Sequence, residues 1–284
     1  MNKLIFGITI SLLPRTPQEV YEMLRQTGRA KSAEIRLDKV YDHAEMFADV
    51  WAEEIVKLSK PVILTFRTEC HGTQWGFWKN LPKSLKKLVQ DKASNVFVDF
   101  SIEFIEHWGE EIFQQLDIPP EKFGASLHNL HMVPHDLQNS LSRLKKSPAK
   151  AFLKFVPTAR NHSDEKAIRN LLETWSDERP LIAFLMGTIG ENSRLECLRW
   201  KSAATYCYPD GQQATAPGQL PLSRLIEHYG SKPTNEADLF CKCCGRSYVW
   251  NDQMMPGSRC MMLKNPGLPC EGILEYLLLM ELAA

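Results

Sequence analysis

Ala151-Phe152-Leu153-Lys154-Phe155-Val156 sets one amine inside a short run of aromatic and branched residues. Such a run reads as a β-strand. Alternation along a strand points Phe152, Lys154 and Val156 to one face and Leu153 and Phe155 to the other. An amine among apolar groups loses hydration, and its pKa is expected to fall. A lysine partly neutral near pH 7 attacks ketones and forms imines. Two bland readings stand beside that one: an edge-strand lysine reaching solvent, and a lysine buried in a salt bridge.

Other short strands end in polar residues that share one phase. Thr9 and Ser11 share a face in the first. Glu34, Arg36 and Asp38 share one in the second, and Arg67 is in phase with Thr65 in the third. Asp99 and Ser101 follow in the fourth, and Ser126 and His128 in the fifth. Their apolar alternates would pack on helices, which turns the polar sets inward. Any one pair alone reads better as a solvent face or a satisfied core ion pair. Six strands with the same phase imply a shared polar chamber, because buried charges need partners.

These strands need a scaffold that converges their carboxyl ends. Eight strand–helix pairs are legible between residue 3 and Tyr229. The strands are expected at 3–11, 32–38, 61–67, 95–101, 122–128, 150–156, 180–186 and 203–208. Helices are expected at 17–29 with Thr16 as N-cap, 44–59, 82–93, 102–116 and 134–146. Others follow from a Ser163 cap through Ile168, Leu171, Leu172 and Trp175, from near Ser193, and at 222–229. The stretch holding Gly72, Trp75, Gly76 and Trp78 reads as a loop. Alternating strands and helices imply a parallel sheet with crossover helices. An α/β (β/α)8 TIM barrel fits the count and length. A doubly wound open sheet is the alternative, but no Gly-rich phosphate loop follows the first strand.

The chain has 284 residues, enough for one large domain or two small ones. Its 34 basic and 34 acidic residues cancel, which removes any electrostatic case for nucleic acid or an anionic membrane. The apolar run at the N-terminus is too short to span a bilayer and shows no signal-peptide cleavage pattern. A cytoplasmic protein is expected.

Several stretches, taken in order, resemble type I 3-dehydroquinate dehydratases. They are Glu34-Ile35-Arg36-Leu37-Asp38, Ile63-Leu64-Thr65-Phe66-Arg67-Thr68, Ser126-Leu127-His128-Asn129-Leu130 and Lys154-Phe155-Val156. Met186-Gly187 with Ser193-Arg194-Leu195, and Ala204-Thr205-Tyr206 with Ala216-Pro217-Gly218-Gln219, complete the set, which covers roughly residues 3 to 230. The resemblance implies a lyase that removes water from 3-dehydroquinate through a Schiff base, in the shikimate pathway of aromatic amino acid biosynthesis. It implies Lys154 as the imine lysine, His128 as general acid/base, and Arg194 as the carboxylate-binding arginine. Ser11, Glu34, Arg36, Arg67, Thr215 and Gln219 match substrate-holding positions. The small-molecule substrate is the implied partner, no metal or other cofactor is needed, and a homodimer is left open. Two departures mark the match. His71 stands where the family has an acidic residue to orient the histidine, with Glu69 nearby, and Ser101 replaces a second carboxylate. They keep open a weakened barrel with a binding role; another Schiff-base lyase or aldolase is the second alternative.

Residues 1–230 are therefore expected to form the barrel and 231–284 a linker and Cys-rich tail. Ser231 to Asn235 reads as the linker. Cys241, Cys243, Cys244, Cys260 and Cys270 follow. Zinc is the less favoured reading, since C-x-C-C is not a paired knuckle and no second C-x-x-C follows. A disordered or aberrant tail, such as the remnant of a truncated or frameshifted fusion to a shikimate dehydrogenase, is favoured, with a helix in the apolar run 273–282.

Overall fold

The structure is a computed structural model that describes residues 6–68, 70–109 and 111–231, together with five short strands beyond them. It falls into two units, 1–222 and 223–284.

Eight parallel strands build the first unit: β1 (Gly7–Leu12), β2 (Ser32–Arg36), β3 (Val62–Thr65), β4 (Val96–Ser101), β5 (Phe123–Asn129), β6 (Leu153–Pro157), β7 (Leu181–Ala183) and β8 (Ala204–Tyr208). A two-residue strand, β9 (Leu220–Pro221), extends β8. The strands pair in chain order from β1 to β7, and β8 pairs with β1. The Ala203 N–H donates to the Leu181 carbonyl at 2.8 Å and brings β8 back to β7. The sheet thus closes as the expected TIM barrel.

Helices α1 (Pro17–Arg25), α2 (Ala44–Lys57), α3 (His71–Lys79), α4 (Lys83–Gln90), α5 (Ile102–Trp108), α6 (Glu111–Leu116), α7 (Leu137–Lys146), α8 (Ser163–Glu173) and α9 (Glu191–Glu196) lie between the strands, and α10 (Leu222–Ser231) follows β9. Thr16 caps α1 as expected, accepting from the Glu19 N–H at 3.3 Å. The alternates Ile35, Leu64, Val98, Leu127 and Phe155 are buried, as the phase argument requires.

Three local expectations fail for identifiable reasons. The Gly72–Trp78 stretch is not a loop but α3. Burial of Phe77 and Trp78 and a bond from Gln74 Nε2 to the Phe66 carbonyl (2.9 Å) hold it helical despite two glycines. The single helix over 102–116 is two, α5 and α6, because Gly109 adopts φ 71° and ends the first. Ser163 does not cap α8: it is the first helical residue, and Trp175 lies beyond the helix. The Asp164 carboxylate takes the Arg160 and Asn161 N–H groups at 2.6 and 3.1 Å instead.

The amino end of the barrel is plugged by aromatics. Phe6 meets Phe97 and Phe152 edge-on, with ring centroids 5.5 and 5.3 Å apart. Gly124 leaves the space that the Phe152 ring fills; a Cβ there would overlap that ring. The inward positions change from apolar at this end to polar at the other.

In the second unit, β10 (Leu239–Cys241), β11 (Ser247–Tyr248) and β14 (Leu274–Tyr276) form an antiparallel sheet, and β12 (Leu263–Lys264) pairs with β13 (Leu268–Pro269). Of the run 273–282 expected as a helix, residues 274–276 are β14 and the others lie outside the described residues, as do residues 232–235 of the expected linker and most of the tail expected to be disordered or aberrant. Cys243, Cys244, Cys260 and Cys270 lie outside the described residues, as does Glu69.

Candidate active site

Lys154 sits one register step from the Phe152 plug, on the inward face of β6, opposite Ser126 of β5 and Ile182 of β7. Its side chain is 5% exposed. The apolar surroundings expected from the sequence are not what it meets. Nζ lies 3.4 Å from Glu34 Oε1 and 3.2 Å from Asp99 Oδ2, over the Tyr206 ring at 4.0 Å from its centroid. The buried ion pair weighed as a bland reading is thus present. It does not by itself exclude chemistry, because the same amine lines a cavity of about 890 Å³ at the carboxyl ends of the strands.

All nine residues singled out for the site line that one cavity: Ser11, Glu34, Arg36, Arg67, His128, Lys154, Arg194, Thr215 and Gln219. A continuous hydrogen-bonded chain joins most of them. Ser11 Oγ donates to Glu34 Oε2 (2.5 Å) and Thr65 Oγ1 to Glu34 Oε1 (3.1 Å). Arg67 donates to Asp99 Oδ2 (2.6 Å) and to Ser126 Oγ (2.8 Å). Thr215 Oγ1 reaches Ser11 Oγ at 3.2 Å and Gln219 Oε1 at 2.8 Å, and Gln219 Nε2 donates to the Cys207 carbonyl at 3.0 Å. The 215–219 loop is thereby tied to β1 and β8. Gly218 makes the close crossing, with φ 71° and its Cα against the Gly187 carbonyl, where any Cβ would collide.

Electrostatics divides the groups into roles. Burial would push the Glu34 carboxyl up, but Lys154, Arg36, the Ser11 hydroxyl and Arg67 outweigh it and bring it down to about 2. His128 is held well below the usual imidazole value by burial and by the positive charges of Arg67, Lys154, Arg36 and Arg194. It is therefore a neutral imidazole at neutral pH. Arg36 is forked onto Asp38 at 2.8 and 3.1 Å. Arg194 differs. It is 1% exposed, burial brings it down to about 10, and among the described residues it has no carboxylate partner. One NH2 contact to the Pro217 carbonyl (3.3 Å) and the face of Phe184, 4.5 Å away, are what it has, while its Nε is unbonded. A buried guanidinium of this kind asks for an anion.

The two residues that depart from the resemblance also take part in the structure. Ser101 Oγ accepts from the Phe104 N–H at 3.2 Å and caps α5. The His71 ring stacks on His107 with centroids 4.9 Å apart, and its buried Nδ1 is unbonded among the described residues.

Residues 8–235 match the family model of the type I 3-dehydroquinase. The chain belongs to the type I 3-dehydroquinase family. It is 27% identical over 222 residues to a 3-dehydroquinate dehydratase of Dehalococcoides mccartyi, covering 78% of this chain and 93% of that one. A bifunctional 3-dehydroquinate dehydratase/shikimate dehydrogenase of Arabidopsis thaliana is 25% identical over 227 residues, covering 76% of this chain and 36% of its own length. Among solved structures, the type I 3-dehydroquinate dehydratase of Clostridium difficile, with covalently modified comenic acid, aligns with a TM-score of 0.62 at 15% identity. It covers 80% of this chain and 92% of that one. The enzyme of Geobacillus kaustophilus aligns with a TM-score of 0.61 at 18% identity, over 78% and 89%. These structural likenesses bear on the fold.

The sequence reading of this type I 3-dehydroquinase missed two wall residues that the geometry makes prominent. Tyr206 and Phe184 supply ring faces to Lys154 and Arg194. Tyr206 belongs to the Ala204-Thr205-Tyr206 motif, and alternation along β8 puts it on the same face as Ala204.

Proposed function

We propose that Lys154 carries the reaction of this type I 3-dehydroquinase by forming an imine with the ketone of 3-dehydroquinate. The proton to be removed lies beside that ketone and is poorly acidic. A protonated imine draws the electron pair left behind, lowering the barrel's task to one proton transfer. Neutral His128 takes the proton and returns it to the departing hydroxyl, one group acting as base and then acid. Water then releases 3-dehydroshikimate from Lys154. Arg194 takes the substrate carboxylate. Ser11, Glu34, Arg36, Arg67, Thr215 and Gln219 hold the ring and its hydroxyls.

The observation that supports this reading is the shared cavity of one buried lysine, one neutral imidazole and one buried guanidinium that has no carboxylate partner among the described residues. Residues 1–230 form the catalytic domain in this reading, and 231–284 are a separate tail. We place the reaction in the cytoplasm, with neither nucleic acid nor membrane as partner. Among the described residues no helix is long and apolar enough to cross a membrane.

The test is borohydride reduction in the presence of 3-dehydroquinate, followed by mass analysis of the peptide holding Lys154. A reduced adduct on that peptide is expected, together with rising absorbance of the conjugated enone in unreduced samples. Turnover without any trapped adduct would remove the imine from the mechanism.

A further inference from the structure

Lys154 and Arg194 each lie over an aromatic face, and the two rings touch. Lys154 Nζ is 4.0 Å from the centroid of the Tyr206 ring, and the Arg194 guanidinium is 4.5 Å from that of Phe184. The rings meet at 5.7 Å with their planes tilted by 43°. Tyr206 stands on β8 and Phe184 directly follows β7, so the pair crosses the seam where the barrel closes. Both side chains are buried, and both line the cavity. The Tyr206 hydroxyl has no hydrogen-bond partner among the described residues, so the ring face is what this residue offers the site.

Burial makes the arrangement informative. A fully buried cation normally sits on a carboxylate. A carboxylate beside Arg194 would satisfy that charge, but it would also repel an incoming anion and occupy the guanidinium's donors. A ring face attracts the cation through its quadrupole and leaves the charge unneutralised. Lys154 is treated differently, since its amine has Glu34 and Asp99 as well as a ring. The guanidinium is thus the cation kept open for a ligand, and two rings in contact set its place relative to the amine.

We propose that Phe184 and Tyr206 form a positioning wall that fixes the span between the Lys154 amine and the Arg194 guanidinium, so that a substrate's ketone and carboxylate are seated together. The inference rests on the roles given to Lys154 and Arg194 above. In 3-dehydroquinate one ring carbon separates the ketone carbon from the carbon bearing the carboxylate, and that intervening carbon loses the proton. A substrate anchored at both ends therefore presents one C–H in a fixed place. Phe184 acts on the carboxylate end through Arg194, and Tyr206 on the ketone end through Lys154. Neither ring moves a proton.

The experiment follows turnover of 3-dehydroquinate by the full chain through the enone absorbance, with borohydride trapping and circular dichroism on each variant. Phe184→Leu is expected to raise KM about 10- to 30-fold, the range of one desolvated cation–π contact, and to change kcat by about threefold or less. The adduct on Lys154 should still form at saturating substrate. Phe184→Tyr keeps a ring face and is expected to hold KM within about threefold of wild type. A double-mutant cycle ties the effect to the guanidinium. In an Arg194→Gln background, Phe184→Leu is expected to add less than about twofold to KM, because the cation it served is gone. Tyr206→Leu is expected to lower kcat about tenfold as the amine loses its seat, whereas Tyr206→Phe, with the ring face kept, recovers most of that loss. A merely structural role would give no recovery by the ring-keeping variants and no dependence on Arg194. Should Phe184→Leu fail to fold, Phe184→Ile takes its place with the same expected rise in KM. An unchanged KM in Phe184→Leu, an equal penalty with and without Arg194, or a Tyr206→Phe that matches Tyr206→Leu overturns the wall. Absence of any adduct in wild type strikes the imine reading instead, since the KM pattern at Phe184 and Arg194 is read without borohydride.

Discussion

A histidine that removes a proton is useful only while neutral. Burial and four nearby cations keep His128 neutral to well below pH 6.5. Lowering the pKa extends the active form toward acid, so kcat/KM is expected to hold level from pH 7 down past 6.5. A pH–rate profile with its acid limb at or above 6.5 would contradict the arrangement. Stability has a matching sign. The unfolded chain takes up a proton here near pH 6.5 that the native protein refuses, so this residue's contribution falls as pH drops below that value. Arg194 gives a second prediction at this scale. Its unbonded Nε and buried NH2 form a fork that a lysine cannot reproduce. Arg194→Lys is expected to raise KM for 3-dehydroquinate about 10- to 100-fold, the range of a lost charge-assisted hydrogen bond, while leaving borohydride trapping intact at saturating substrate. An unchanged KM would place the carboxylate elsewhere. The inward placement of Lys154 and His128 was legible from residue type and strand phase, whereas Arg194, on α9, was legible only from the family motifs. The identity of the amine's partners was not. Glu34 and Asp99 are 120 and 55 residues from Lys154 in sequence, and only strand register brings them to it.

Strands announced themselves through alternation, and their inward phase followed from the pleat. Helix ends and the α3 segment did not, because they depend on contacts from elsewhere. Gly72 and Gly76 argue locally for a loop, and the burial of Phe77 and Trp78 against neighbouring rings overrides them. Phe66 stacks on Phe77 at 4.3 Å, and Trp78 meets Phe100 at 5.1 Å. The same dependence makes Gly124 informative. Nothing in Phe123-Gly124-Ala125 marks the glycine as special until β6 is laid beside β5 and Phe152 falls over it. Gly124→Ala is expected to destabilise the barrel by about 1–3 kcal/mol through overpacking, measured by urea unfolding. Combining it with Phe152→Leu should cost less than the sum of the two single changes, since the leucine vacates the contested space. Strict additivity would mean that the two positions do not compete for the same volume.

A closed barrel is only as firm as the place where its last strand meets the rest. Here that place lies between β7 and β8. The seam holds through the Ala203 N–H on the Leu181 carbonyl and through Ser202, whose Oγ accepts from the Ala183 N–H at 3.0 Å and donates to the Ala204 carbonyl at 2.8 Å. One buried hydroxyl thus substitutes for part of a strand ladder. The seam also lies between parts of the site: Lys154 is on β6, Arg194 is on α9 after β7, and Gln219 follows β8. Thr205 Oγ1 of β8 donates to the Arg194 carbonyl at 2.7 Å, so a loosened β8 would carry Arg194 away from the Lys154 side. Ser202→Ala strands the Ala183 N–H, a buried donor worth about 1–3 kcal/mol when unsatisfied. The expected result is at least about tenfold faster hydrogen exchange at the Ala183 amide, since tenfold corresponds to about 1.4 kcal/mol of lost protection. Amides of β3 and β4, on the opposite wall, should change far less, and KM should rise while the Lys154 adduct still forms. If exchange rises equally all round the barrel, the hydroxyl supports the whole fold. If Ala183 stays protected, the backbone bond at Ala203 alone closes the cylinder.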